Sequence, residues 1–86
     1  MKIFVTGGAG FIGSNFILSQ IIDFQNSILN YDKLTYAANL DNLNKCSSSS
    51  LYSFNNGDIC KQKELSESIN KFKPDCIVNF AAESHV

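Results

Sequence analysis

Residues 3–13 read Ile-Phe-Val-Thr-Gly-Gly-Ala-Gly-Phe-Ile-Gly, an apolar run that leads into a glycine-rich turn. Gly7, Gly10 and Gly13 are three residues apart, with a strand pattern before them and a helix pattern after them. In this arrangement Gly7 forms the tight turn, Gly10 leaves room for phosphates, and Gly13 lets the helix pack closely on the strand. Backbone N–H groups of such a turn and the N-terminus of the next helix hold a pyrophosphate. The segment therefore predicts dinucleotide binding, and the alternative is a structural turn without a phosphate.

An acidic residue, Asp32, ends the next apolar run, 19 residues after Gly13. Its position is the carboxyl end of a predicted strand, where ligands bind in sheets of this type. A carboxylate there accepts hydrogen bonds from the adenosine ribose hydroxyls and repels a 2′-phosphate, which favours NAD over NADP. The neighbouring charge of Lys33 weakens that preference, and an ordinary aspartate at the end of a strand is the alternative.

The hydrophobic pattern predicts four strands that alternate with helices. In the segment 61–72, Leu65, Ile69 and Phe72 share one helical face. Alternating strands and helices predict right-handed crossovers and a parallel sheet. The predicted strands are 2–6, 27–32, 51–54 and 76–80, and the predicted helices are 11–22, 61–72 and a short one near Leu40 and Leu43.

Composition limits the class of protein. The chain has 86 residues, of which 44% are hydrophobic, and a net charge of −1. These values indicate a small globular chain with one core and argue against nucleic acid or an anionic membrane as a partner. No apolar run has the length of a membrane span. The N-terminus leads directly into the first strand, so no signal peptide is expected.

The three cysteines, Cys46, Cys60 and Cys76, form no C-x-x-C motif. Their spacing, even with His85 included, matches no common zinc site, so no metal is expected. The odd number and wide spacing favour reduced thiols and a cytoplasmic location.

Four segments together resemble a known family. Residues 6–13, 32–37 (Asp-Lys-Leu-Thr-Tyr-Ala), 57–59 (Gly-Asp-Ile) and 81–86 (Ala-Ala-Glu-Ser-His-Val) are similar to the extended short-chain dehydrogenase/reductases, and among them to the dTDP-glucose 4,6-dehydratases. The resemblance covers the whole chain but only the N-terminal part of that family. It implies an α/β fold, a Rossmann-type doubly wound parallel sheet with about four strands. Residues 1–86 are then a partial NAD-binding domain, and the rest of the sheet and the substrate domain are absent.

The resemblance also implies a reaction. NAD oxidises the C4 hydroxyl of dTDP-glucose, water leaves across C5 and C6, and the hydride returns to C6, which gives dTDP-4-keto-6-deoxyglucose. The family's Tyr-x-x-x-Lys motif lies beyond residue 86, and no tyrosine of this chain has a lysine four residues later. We therefore expect no catalytic residue in these 86 residues, and the complete family member is expected to be a homodimeric lyase.

The cofactor-binding residues are implied in the same way. Asp58 accepts a hydrogen bond from the adenine amino group while Ile59 packs on the ring, and N-capping of the next helix is the alternative for Asp58. Ser84 also reaches towards the sugar, whereas His85 is expected to be a polar loop residue rather than a base. The full set is Gly7, Gly10, Phe11, Ile12, Gly13, Asp32, Lys33, Leu34, Thr35, Asp58, Ile59, Phe80, Ala81, Ala82, Glu83 and Ser84.

Two other functions fit the same motifs. A UDP-sugar epimerase or decarboxylase would share the glycine turn and Asp32, and a truncated nucleotide-binding module would need no catalytic residues. Val86 lies just after a predicted strand and inside a binding loop, which favours a fragment of an enzyme. A coding sequence that continues with Asp-Arg-Ser and later Tyr-x-x-x-Lys would distinguish the enzyme from the module.

Overall fold

The computed structural model describes residues 1–8, 10–33 and 43–80. They form four strands and two helices in alternation: β1 (Lys2–Thr6), α1 (Phe11–Ile22), β2 (Ser27–Asp32), β3 (Tyr52–Asn56), α2 (Gln62–Phe72) and β4 (Cys76–Asn79). All four strands are parallel and lie in the order β3-β2-β1-β4. The predicted α/β class and the doubly wound parallel sheet are confirmed.

The register of the sheet brings the carboxyl ends of the strands together. Thr6, the last residue of β1, pairs with Tyr31 on one side and with Asn79 on the other. Asp32, the last residue of β2, pairs with Asn56 at the end of β3. The chain goes outward from β1 to β3 and then returns to the far side of β1. The carboxyl edge between β1 and β4 is therefore the point where the strand order reverses, and ligands bind at such points in open parallel sheets.

The main core lies between one face of the sheet and α1. Alternate strand residues point to the same face, so Ile3, Val5 and Ile28 meet Ile17 and Ile21 of α1. All five side chains are buried, at 5% exposure or less. Burial of large aliphatic side chains is the main driving force for folding, and it fixes α1 directly behind the glycine turn.

The opposite face of the sheet packs against α2. Phe4 is fully buried and lies beside the rings of Tyr31 and Phe72, at centroid distances of 5.6 and 6.5 Å. An apolar groove of about 330 Å³ remains on this face, and Leu65 and Ile69 of α2 line one side of it. The predicted face of Leu65, Ile69 and Phe72 is thus the face that α2 turns towards the sheet.

The structure corrects three predicted boundaries. β3 covers Tyr52–Asn56 rather than 51–54, because its pairing with β2 continues as far as Asp32. α2 begins at Gln62 rather than at residue 61, and β4 ends at Asn79 rather than at residue 80. The short helix near Leu40 lies outside the described residues, although Leu43 itself is buried in the core. Neither described helix is long and apolar enough to cross a membrane.

Candidate functional site

The turn after β1 has the conformation that its first glycine predicts. Gly7 has a φ of 74°, which is in the left-handed region where glycine is favoured. Its N–H donates to the carbonyl of Tyr31 at 3.1 Å, so the turn is tied to the end of β2. The chain then reverses and enters α1 at the carboxyl edge of the sheet.

The other two predicted glycines meet different surroundings. Among the described residues, the atom nearest to a Cβ on Gly10 would be the Gly7 carbonyl oxygen at 3.9 Å, so these residues leave the space in front of Gly10 open. A Cβ on Gly13 would lie 2.7 Å from the Gly7 oxygen and 2.8 Å from the Gly8 Cα. The atoms nearest to Gly13 thus belong to the turn directly after β1, and the absence of a side chain at Gly13 lets α1 approach this turn.

A second-strand asparagine that the motif did not include fixes the turn. The Oδ1 atom of Asn30 accepts a hydrogen bond from the Gly8 N–H at 2.9 Å, and Asn30 is fully buried. Its Nδ2 donates to the hydroxyl of Tyr52 at 3.3 Å. Burial raises the pKa of Tyr52, so that hydroxyl stays protonated at neutral pH. A Cβ on Gly8 would collide with Asn30 and with Ile17. Gly8 and Asn30 are thus structural parts of the turn.

The start of α1 faces the open space beside Gly10. Gly10 is the N-cap and provides no side-chain cap, and the first turn of α1 contains no acidic residue. The free N–H groups and the positive end of the helix dipole there favour an anion. Phe11 and Ile12 lie at the same place and are 77% and 69% exposed.

Asp32, Lys33 and Asp58 are brought together at the same edge. Asp32 ends β2 and is 8% exposed, while its carbonyl accepts a hydrogen bond from the Gly57 N–H at 3.0 Å. The Lys33 Nζ lies 3.4 Å from Oδ2 of Asp58. Lys33 therefore directs its charge towards the loop after β3. The sequence predicts that this charge weakens the preference for NAD by partly offsetting the negative charge of Asp32.

The structure does not place Asp58 as the N-cap of α2. That N-cap is Lys61, whereas Oδ1 of Asp58 accepts a hydrogen bond from the Cys60 N–H at 2.9 Å. This backbone hydrogen bond, and next the charge of Lys33, lower the pKa of Asp58. The carboxylate is therefore ionised at neutral pH and is available as an acceptor. Ile59, the next residue, lines the apolar groove close to Thr6 and Asn79.

The strand ends at the reversal point are joined by side-chain and backbone contacts. The Thr6 hydroxyl donates to Oδ1 of Asn79 at 2.6 Å, and the Phe80 N–H donates to the Thr6 carbonyl at 2.7 Å. The Phe80 ring packs against Phe16 of α1 at 5.4 Å. Phe80 is thereby held beside the glycine turn.

Six predicted cofactor-binding residues lie outside the described part of the chain, namely Leu34, Thr35, Ala81, Ala82, Glu83 and Ser84. The described ones converge on one edge of the sheet, from the ends of all four strands. Within residues 1–8, 10–33 and 43–80, no group of three potential ligands could hold a metal ion.

Comparison with protein families and curated sequences gives consistent matches. The family model described as GDP-mannose 4,6 dehydratase matches residues 4–86. The chain is 46% identical over 86 residues to dTDP-glucose 4,6-dehydratase of Salmonella typhimurium strain LT2. This alignment covers 100% of this chain and 24% of that protein. The dTDP-glucose 4,6-dehydratase of Shigella flexneri is 49% identical with the same coverage. The chain thus spans about a quarter of the length of the curated relatives it matches.

Solved structures show the same similarity in three dimensions. A dTDP-glucose 4,6-dehydratase of Bacillus anthracis in complex with NAD superimposes with a TM-score of 0.91 at 44% identity, over 98% of this chain and 27% of that one. A dTDP-glucose 4,6-dehydratase of Streptomyces venezuelae with NAD bound gives 0.88 at 38% identity, over 100% and 28%. A UDP-glucose 4-epimerase of Thermotoga maritima with UDP-glucose gives 0.79 at 27% identity, over 98% and 25%.

Proposed function

Because the chain belongs to the GDP-mannose 4,6 dehydratase family, we propose that it is the NAD-binding N-terminal part of a dTDP-glucose 4,6-dehydratase. The observation that carries this proposal is the convergence, at one edge, of the glycine turn, Asp32 and the loop of Asp58. These three elements match the three parts of an adenine dinucleotide: the pyrophosphate, the ribose and the base.

Each part of the edge has a distinct role in holding NAD. The open space at Gly10 and the uncapped start of α1 accommodate the pyrophosphate, since a Cβ would occupy that space. The Asp32 carboxylate accepts hydrogen bonds from the hydroxyls of the adenosine ribose. The Asp58 carboxylate accepts a hydrogen bond from the adenine amino group, while Ile59 packs on the adenine ring. Phe11, Ile12, Lys33 and Phe80 border the same edge, and the six residues outside the described part complete the predicted set.

The complete protein would convert dTDP-glucose to the 4-keto-6-deoxy sugar with loss of water. NAD, when bound, supplies the hydride acceptor, and the residues of this chain bind and orient it. Ser84 would contact the sugar, and the catalytic tyrosine and lysine would come from the part of the family sequence that lies beyond residue 86. The cytoplasmic location and the homodimer are parts of the same proposal.

A UDP-sugar epimerase is the second candidate, supported by the superposition on the Thermotoga maritima epimerase. The dehydratase is favoured because the solved dehydratase of Bacillus anthracis is more similar in sequence, at 44% against 27% identity.

The test is to incubate the complete gene product with NAD and either dTDP-glucose or UDP-glucose. We expect dTDP-4-keto-6-deoxyglucose from the first substrate and no galactose epimer from the second. Formation of UDP-galactose without any keto sugar would favour the epimerase. Absence of NAD binding would overturn the proposal as a whole.

A further inference from the structure

Tyr31, the second-last residue of β2, is an unusual core residue. It is only 2% exposed, and its hydroxyl has no hydrogen-bond partner among the described residues. A buried polar atom without a partner is costly, so few positions in a native protein tolerate one. The ring itself packs on Phe4 at a centroid distance of 5.6 Å. The position is therefore one where the ring, and not its hydroxyl, makes the useful contacts.

The ring of Tyr31 fills the space where Gly57 lacks a side chain. A Cβ on Gly57 would lie 2.6 Å from Cε2 of Tyr31 and even closer to Cζ and the hydroxyl oxygen. Real Cβ atoms do not approach other atoms so closely. Among the described glycines only Gly7 has a positive φ, so space, and not backbone conformation, requires glycine at position 57. The two residues are matched in size.

This contact lies directly beneath the loop that carries Asp58. The Gly57 N–H donates to the carbonyl of Asp32 at 3.0 Å, and the next residue is Asp58 itself. On its other side, the Tyr31 carbonyl accepts the Gly7 N–H. Tyr31 therefore touches both loops of the proposed cofactor site, one through its ring and the other through its backbone.

We propose that Tyr31 is a positioning residue for adenine recognition, because its ring, matched to the missing side chain of Gly57, sets the place of the Asp58 carboxylate. The inference rests on the proposed function, in which that carboxylate accepts the adenine amino group. A larger residue at 57 would push the loop away from the ring, and a smaller residue at 31 would let the loop sink towards the sheet.

The experiment compares NAD with nicotinamide hypoxanthine dinucleotide, whose base carries an oxo group in place of the amino group. Dissociation constants for both are measured with the complete protein and with Gly57→Ala, Tyr31→Val, the double variant and Tyr31→Phe. The wild type should prefer NAD by about tenfold or more, the size expected for one hydrogen bond to a charged group. Ser66→Ala, on the exposed side of α2, is the control and should keep the preference.

Gly57→Ala should lose most of the preference for NAD, and Tyr31→Val should lose part of it. The double variant should regain the preference, because the new methyl group enters the space that the ring leaves. Tyr31→Phe should keep it, because the hydroxyl has no hydrogen-bond partner to lose among the described residues. If Gly57→Ala does not fold, Tyr31→Val still tests the inference, since it creates space rather than a clash.

A merely structural role for Tyr31 would weaken both dinucleotides equally and leave their ratio unchanged, and that result would overturn the inference. A double variant no better than Gly57→Ala would also overturn it. In both cases the wild-type preference for NAD leaves the proposed function intact. A wild type that binds NAD without preferring it would remove the adenine contact of Asp58 and this inference together.

Discussion

The turn after β1 and the loop after β3 reach the same edge of the sheet but are held there by different forces. The turn is fixed by buried contacts: the Gly8 N–H bonds to Asn30, which is fully buried, and Gly13 lies against the turn backbone. The loop is fixed near its surface, where Asp58 is bonded to the Cys60 N–H and paired with Lys33. Beneath the loop, the ring of Tyr31 lies against Gly57, and the Gly57 N–H donates to the Asp32 carbonyl.

This difference has a physical consequence for each region. Buried hydrogen bonds and close packing do not respond to salt or to moderate changes in pH, but they tolerate no added atom. An exposed ion pair contributes little and is screened by salt, and Lys33 is 61% exposed in its side chain. At the pyrophosphate end of the proposed site, NAD binding should therefore be lost when a substitution adds atoms. At the adenine end, NAD binding should weaken gradually as charges are changed or screened.

The largest effect is expected from Gly8→Ala. The new methyl group would lie 2.5 Å from Oδ1 of Asn30 and would also collide with Ile17. Overpacking of this kind costs about 1–3 kcal/mol, and the displaced turn should lose NAD binding as well. Urea unfolding of the complete protein measures the cost. Gly10→Ala is the control, since the Gly7 oxygen, at 3.9 Å, is the nearest atom of the described residues beyond its chain neighbours. Equal midpoints for the two variants would contradict the close packing at Gly8.

Gly10→Val should affect binding more than stability. The side chain would enter the open space in front of α1, where the phosphates are proposed to lie. We expect NAD affinity to fall by about thirtyfold or more, which corresponds to about 2 kcal/mol. The unfolding midpoint of the NAD-free protein should fall only modestly, because valine is a poorer N-cap of α1 than glycine. Isothermal titration with NAD measures the affinity. A folded variant that binds NAD as the wild type does would exclude the phosphate role of this turn.

Asp32→Ala tests the residue that lies between the two regions. It removes an acceptor for the ribose hydroxyls and the charge that repels a 2′-phosphate. The loss of a hydrogen bond to a charged group should weaken NAD binding by about 1.5–3 kcal/mol, or roughly tenfold or more, and NADP binding should weaken less. Asp23→Ala, on the exposed end of α1, is the matched control. An unchanged ratio of the NAD and NADP affinities would show that the ribose contact is wrong.

Asn30→Ala tests the buried hydrogen bond that fixes the turn. The Gly8 N–H would lose its acceptor, and an unsatisfied buried donor costs about 1–3 kcal/mol. Tyr52→Phe is a matched variant, because it removes only the longer 3.3 Å bond on the other side of the same amide and should cost less. The unfolding free energies of both variants are compared by urea titration. A larger cost for Tyr52→Phe would contradict the assigned role of Asn30.

The sequence predicted the strands and helices around the site better than the tertiary contacts that stabilise the site. The bounds of β1, α1 and β2 follow from apolar periodicity, which the core of Ile3, Ile17 and Ile28 satisfies. The end of β3 could not be found in this way, because asparagine is a poor strand former and is held in the strand by pairing with β2. The glycine spacing also predicted the turn after β1 and the tight turn at Gly7, which has a positive φ.

The residues missed by sequence reasoning depend on tertiary contacts. Asn30 is a single polar residue between apolar neighbours, and this pattern was the one available signal. Its role became visible only when the register brought it beneath Gly8. The match between Tyr31 and Gly57 likewise joins residues that are 26 positions apart, and no local pattern encodes it.

The smallest effect is expected where the loop after β3 is held by charge. The folded state lowers the pKa of Asp58 below its usual value, first through the Cys60 N–H and then through Lys33. A lowered folded pKa stabilises the protein above the unfolded pKa, and this contribution is lost as the pH falls through the folded pKa. NAD affinity should therefore be constant from about pH 6 to pH 8 as far as Asp58 is concerned, because its carboxylate stays ionised there.

In Lys33→Met the pKa of Asp58, followed by NMR titration of its carboxyl carbon, should rise only part of the way to the usual value, since the Cys60 hydrogen bond remains. A full return to the usual value would show that the ion pair, and not the backbone, holds the loop.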